Sequence, residues 1–170
     1  MNEKLLYDTI YNTLIEEDEE FTSLSDQGIF YAPELYIALL LGKEIKKMED
    51  EIFKSNVTWI RETDLGNGGP TDFAFKIEDS IIAFELKLRQ TVHAYRSDVE
   101  KLKKLDQNHT KYFIALADSW ERDQDNDGRI KALEKDYPEI RRISNFKSFE
   151  TKQDRYVGAI TCTVCVWKVN

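Results

Sequence analysis

The sequence predicts an α/β protein in which a central mixed sheet is flanked by helices, with a core of order αβββαβ. Three observations carry this. Two apolar stretches, at 4–17 and 33–53, repeat at helical spacing. Three short β-like segments follow, the last two joined as a hairpin around Glu78-Asp79. A further helical stretch then leads into a continuous apolar run at 111–117, the pattern of a buried strand.

The elements follow in order. Residues 4–17 carry Leu6, Tyr7, Ile10, Tyr11 and Leu14 on one helical stripe. A connector at 21–31 precedes Pro33, whose missing N–H costs nothing at a helix start. The helix at 33–53 holds Leu35, Leu39, Ile45 and Ile52. A short strand is expected at 57–61 and a glycine-rich loop at 63–71, then the hairpin. Thr91 caps a helix at 92–106 that turns Val99, Leu102 and Leu105 inward. A short helix at 129–136 stops near Pro138, and a strand at 156–169 ends the chain. No repeat or linker divides the 170 residues, so residues 1–170 read as one domain around a core at about 33–117.

The composition, 41% hydrophobic and 33% charged, is that of a globular chain with enough apolar surface for a core. The longest apolar stretch, 36–41, is too short to span a membrane, and the first residues show no signal-peptide pattern. A cytoplasmic protein without a membrane partner is therefore expected. The net charge of −8 argues against non-specific nucleic-acid binding, which needs Lys and Arg against phosphate. It leaves open a local basic patch or a metal-mediated contact. The acidic block Glu16 to Glu20 reads as a solvated face. The late basic group of Arg141, Arg142, Lys147, Lys152 and Arg155 reads as another solvated face or as a binding patch. Cys162 and Cys165 lie three apart on a strand, hence on opposite faces, and read as buried free thiols.

The hairpin carries the chemistry. With Glu78-Asp79 as a two-residue turn, Ile77 faces Ser80, Phe75 faces Ile82 and Phe73 faces Phe84. The same register sets Asp72 opposite Glu85, with Cβ atoms about 5 Å apart. Lys87, two residues on, shares their face. Two carboxylates so close repel unless one is protonated or a cation joins them. Their hard oxygens suit Mg2+ or Mn2+. A cross-strand salt-bridge cluster of Asp72, Glu85, Lys87 and Lys76 is the structural alternative.

An acidic residue on one strand, a hairpin return, Glu-x-Lys on the next strand and a following helix together resemble the PD-(D/E)xK nuclease superfamily, the restriction-endonuclease-like fold. Here Pro70-Thr71-Asp72 stands for the first half, with Thr71 interposed, and Glu85-Leu86-Lys87 for the second. The resemblance covers about half the chain. It implies a metal-dependent endo- or exonuclease that hydrolyses DNA or RNA phosphodiesters. It further implies Mg2+ or Mn2+ on Asp72, Glu85 and the Leu86 backbone carbonyl. Lys87 would then position or polarise water. Glu34 would be the added carboxylate of the first core helix, catalytic or metal-binding, with Glu44 as a second candidate there. His93 reads as a surface histidine or a base, and Gln90 as a residue at the strand's end. Arg96 and Lys101 are expected to meet the nucleic-acid backbone. Defence or repair is the implied setting, and a two-fold homodimer would suit double-strand cutting.

A second constellation matches a twelve-residue calcium loop. Asp123, Asp125 and Asp127 occupy its first, third and fifth positions, Gly128 the sixth and Glu134 the last, with the Arg129 backbone carbonyl as the seventh. An acidic turn capped by Asp127 explains the same residues without Ca2+. Three functions thus stand: a nuclease, a non-catalytic binding or immunity-type protein on the same fold, and a Ca2+-binding interaction domain.

Overall fold

Period-two alternation along two neighbouring strands sets the middle of the molecule. In the computed structural model, which describes residues 1–120, 127–153, 158 and 160–170, β2 (Pro70–Ile77) and β3 (Ser80–Leu88) form the expected antiparallel hairpin. Ile77 pairs with Ser80, Phe75 with Ile82 and Phe73 with Phe84. On one face, Phe73 stacks on Phe84 with centroids 4.6 Å apart, and Phe84 on Tyr112 at 5.2 Å. The other face carries Asp72, Glu85 and Lys87.

The sheet runs β1-β2-β3-β4-β7-β5. Its remaining members are β1 (Thr58–Asp64), β4 (Thr110–Ser119), β5 (Arg141–Arg142), β6 (Lys147–Thr151) and β7 (Ile160–Val169), with β6 also paired to β7. Pairing is antiparallel except between β3 and β4. A parallel pair needs a crossover, and α4 (Val92–Lys103) supplies it. Helices α1 (Glu3–Ser25), α2 (Glu34–Lys47) and the short α3 (Glu49–Ile52) cover the phenylalanine face. Helix α4, with α5 (Gly128–Asp136) beside it, covers the opposite face, where Tyr95 meets Phe113 at 5.4 Å. The fold is thus mixed α/β with helices on both faces of one sheet, and its middle elements follow the expected αβββαβ order.

Several expectations need correction. Helix α1 continues to Ser25 because the acidic block belongs to it. Glu17 and Asp18 are buried rather than solvated. Glu17 accepts the Tyr36 hydroxyl at 2.6 Å, and Asp18 accepts the Ile29 N–H at 2.7 Å. Asp26, with φ 57°, ends the helix. The helix expected at 33–53 divides at Met48, and Pro33 is its N-cap rather than its first residue. Strand β1 runs on to Asp64, which pairs with Pro70, so the loop shrinks to its glycine tip. Strands β5 and β6 carried no sequence signal. They are short and polar, and their geometry comes from β7 beside them. Cys162 and Cys165 are buried free thiols, as expected.

Phe84 is fully buried between Phe73 and Tyr112. Phe84→Ala is expected to destabilise the protein by about 3–5 kcal/mol, read as a lower urea midpoint at unchanged slope.

Candidate functional site

The site begins where the hairpin ladder stops. Beyond the Phe73–Phe84 pair, Asp72 Oδ2 accepts the Leu86 N–H at 2.7 Å. This bond ties the start of β2 to the acidic end of β3. Glu85, 1% exposed, points into the layer between the sheet and α4. Small residues on that face of the sheet, Ala83 and Ala115, leave room for the helix to approach.

Glu34, in the first turn of α2, reaches the same place. Its Oε1 accepts from Lys87 Nζ at 2.9 Å, and its Oε2 accepts the Leu88 N–H at 3.0 Å. Arg89 holds this approach in place. It donates to the Phe30 carbonyl at 2.9 Å and lies over the Phe30 ring, just ahead of Pro33. Helix α4 adds two groups: Asp98 Oδ2 lies 3.1 Å from Lys87 Nζ, and Lys101 Nζ lies 2.7 Å from Glu85 Oε1. Lys101 also donates to the Pro70 carbonyl. Lys87 Nζ further donates to the Leu86 carbonyl at 3.2 Å.

Four carboxylates therefore meet two ammonium groups. Burial pushes Glu85 up to about 7, with the nearby Asp72 charge adding to it and Lys101 opposing. Burial likewise raises Asp72 and Asp98 above the usual carboxylate range, against the Leu86 N–H and Lys87 respectively. For Lys87 burial works against the charge, but Asp98 and Glu34 outweigh it and hold the ammonium well above its ordinary value. Counted as ionised, the four carboxylates outnumber the two ammonium groups, a difference that protons or a cation can make up. Asp72, Glu85 and the Leu86 carbonyl are oxygen donors of the kind Mg2+ or Mn2+ takes. Among the described residues no group of three or more His, Cys, Asp or Glu side chains forms a ready-made metal shell. The two ammonium groups stand among the carboxylates instead.

The chain was compared with models of protein families, with curated proteins and with solved structures, and nothing matches.

The structure brings together Asp72, Glu85, Leu86 and Lys87, as the hairpin register suggested, and adds Glu34, the residue that the resemblance implied. Lys76 is exposed and lies outside the cluster. Glu44 pairs with Lys47 at 2.7 Å on the outer surface of α2. Gln90 and His93 are exposed. Arg96 is ion-paired with Asp136, its Nε donating at 2.7 Å. Lys101, expected at a nucleic-acid backbone, faces inward to Glu85. Asp98 was missed. Its signal was a charged residue within the inward stripe Tyr95, Val99 and Leu102, which also locates Lys101 one turn on.

In the proposed calcium loop, Asp123 and Asp125 lie outside the described residues. Asp127 caps α5 by accepting the Arg129 N–H at 2.8 Å. Glu134 accepts from Arg142 Nε at 2.6 Å and from Trp167 Nε1 at 2.9 Å, so its carboxylate serves the packing of α5 on β7. The late basic group is paired within the chain: Arg141 with Glu3, Arg142 with Glu134, Lys147 with Asp8 and Lys152 with Asp26. Arg155 lies outside the described residues.

The unfolded chain releases the Glu85 proton near 4.5, the folded chain at about 7. Between those values the folded state holds more protons, so this contribution to stability falls as pH rises and stays low above the window. Asp72 and Asp98 shift in the same direction. Urea unfolding in chelator is expected to show Glu85→Gln more stable than wild type at about pH 8, by on the order of 2–3 kcal/mol, with the gap closing toward about pH 4. A Gln variant less stable at the higher pH would mean that the Glu85 charge is already well compensated.

Proposed function

We propose that this chain is a metal-dependent nuclease hydrolysing phosphodiester bonds of DNA or RNA, on the restriction-endonuclease-like core that its element order resembles. The observation that carries the reading is the setting of Lys87. Its side chain, 20% exposed, is held between Glu34 and Asp98 on the strand face that bears Glu85 and adjoins Asp72. A surface salt bridge has no need of a lysine gripped from two helices beside the buried Glu85 and the half-buried Asp72.

In this reading Asp72 and Glu85, with the Leu86 carbonyl, hold Mg2+ or Mn2+. Such an ion lowers the pKa of a bound water and offsets the charge that builds on the phosphoryl oxygens. Lys87 aims its ammonium at the attacking water or at a phosphoryl oxygen, and donates a hydrogen bond that strengthens as charge develops there. Glu34 and Asp98 fix its direction. Glu34 also caps the Leu88 N–H and so holds the end of β3 against α2.

One observation favours a second reading, a non-catalytic binding or immunity-type module on the same fold. Arg96, Arg141, Arg142, Lys147 and Lys152 are each engaged by a carboxylate of this chain, and the net charge is −8. These side chains are not idle cations awaiting phosphate. A Ca2+-binding domain is supported by the loop sequence alone, and the commitment of Glu134 to Arg142 and Trp167 weighs against it.

Purified protein is expected to cleave single- or double-stranded DNA or RNA in Mg2+ or Mn2+ and to stop in chelator. Asp72→Ala and Lys87→Ala should each lower the rate by about 100-fold or more. Cleavage that survives both substitutions would sink the assignment, and no cleavage under any of these conditions would favour the binding module.

A further inference from the structure

Helix α4 presents two opposite charges to the site, three residues apart. Lysine stands against glutamate at one level and aspartate against lysine at the other: Lys101 lies 2.7 Å from Glu85, and Asp98 lies 3.1 Å from Lys87. Lys101 is further anchored to the Pro70 carbonyl, two residues before Asp72. Its ammonium therefore sits on Glu85, the residue that would share a metal with Asp72.

The manner of contact matters. Glu85 Oε1 and Asp98 Oδ2 are buried atoms, and the ammonium groups at 2.7 and 3.1 Å are the charges set against them. The Lys101 ammonium offers Glu85 the kind of positive charge that a divalent cation would bring. Lys101 also has a way out. Its side chain is 19% exposed, whereas that of Glu85 is 2% exposed. The long aliphatic stem lets the charged end move toward water while the stem stays packed.

We infer that Lys101 is a built-in counter-ion that occupies the metal seat at Glu85 and yields it when a divalent cation enters. The inference rests on the metal-dependent reading above. It assigns Lys101 a role that the hairpin motif does not contain, because the residue belongs to the crossover helix. The ammonium partners the Glu85 carboxylate and holds it in place while no metal is bound, and it lowers apparent metal affinity because each ion must displace it. If Lys101 were instead a structural clamp, its removal would loosen Glu85 and weaken metal binding.

The two roles predict opposite signs. Mn2+ alone is titrated into the full chain by calorimetry at one fixed pH, with wild type, Lys101→Met and Lys101→Arg compared. Lys101→Met is expected to bind Mn2+ about tenfold or more tightly than wild type, and Lys101→Arg, which keeps the charge, to stay near wild type. In melting experiments Lys101→Met should be the less stable protein in chelator and should gain more from Mn2+. If it is unfolded in chelator, recovery of its circular dichroism on adding Mn2+ supports the same conclusion. Equal or weaker Mn2+ binding by Lys101→Met, or failure to fold at saturating Mn2+, overturns the role of Lys101. Where wild type nonetheless binds Mn2+ and cleaves, the nuclease reading stands without it. Absence of Mn2+ binding by all three proteins overturns both.

Discussion

A slip of one residue between β2 and β3 would turn every side chain of the slipped strand to the other face. With β3 slipped, Ile82 and Phe84 would face α4, while Glu85 and Lys87 would enter the aromatic layer beneath α1 and α2, away from Asp72 on β2. That layer is packed through stacked rings from Phe73 to Tyr112. Unpaired carboxylates there would meet an apolar medium in which ionisation is very costly. The apolar packing of one face thus determines where the charged residues of the other face stand, and the site inherits its alignment from the core.

Once aligned, the carboxylates need cations. Glu85 is almost completely buried, and a buried charge without a partner is strongly destabilising. The sheet supplies one ammonium, Lys87, and α4 supplies another, Lys101. The two helices α2 and α4, both packed on β3, contribute to the same cluster, α2 through Glu34 and α4 through Asp98 and Lys101. The cluster is therefore an electrostatic joint between the two helical layers as well as a candidate reaction centre. Under the proposed nuclease reading its surplus of carboxylates over ammonium groups ties the two roles together, because a cation that completed the joint would also serve phosphoryl chemistry.

Elements with strong local signals were legible. The hairpin register, the Thr91 cap, the buried run of β4 and the opposed faces of Cys162 and Cys165 all follow from period, turn chemistry and apolar content. Boundaries were less legible where side chains from distant elements intervene. The acidic stretch of α1 reads as solvated until Tyr36, Ile29 and Thr151 arrive to satisfy Glu17 and Asp18. The late basic residues read as a possible patch until Glu3, Asp8, Asp26 and Glu134 are seen to hold them. In each case the sequence displays a charge and hides its partner.

The sequence by itself determined which residues share a strand face, because alternation has a period of two and a two-residue turn leaves one register. That is enough to set Asp72, Glu85 and Lys87 together. Only the tertiary structure decided what stands opposite them. The parallel pairing of β3 and β4 forces a crossover, and α4 must lie over the acidic face with Asp98 and Lys101 turned inward. The approach of α2, tied down through Arg89 and Phe30, delivers Glu34 to Lys87 from more than fifty residues away. Such contacts depend on where whole elements pack rather than on local spacing. They therefore become visible only when the core has closed.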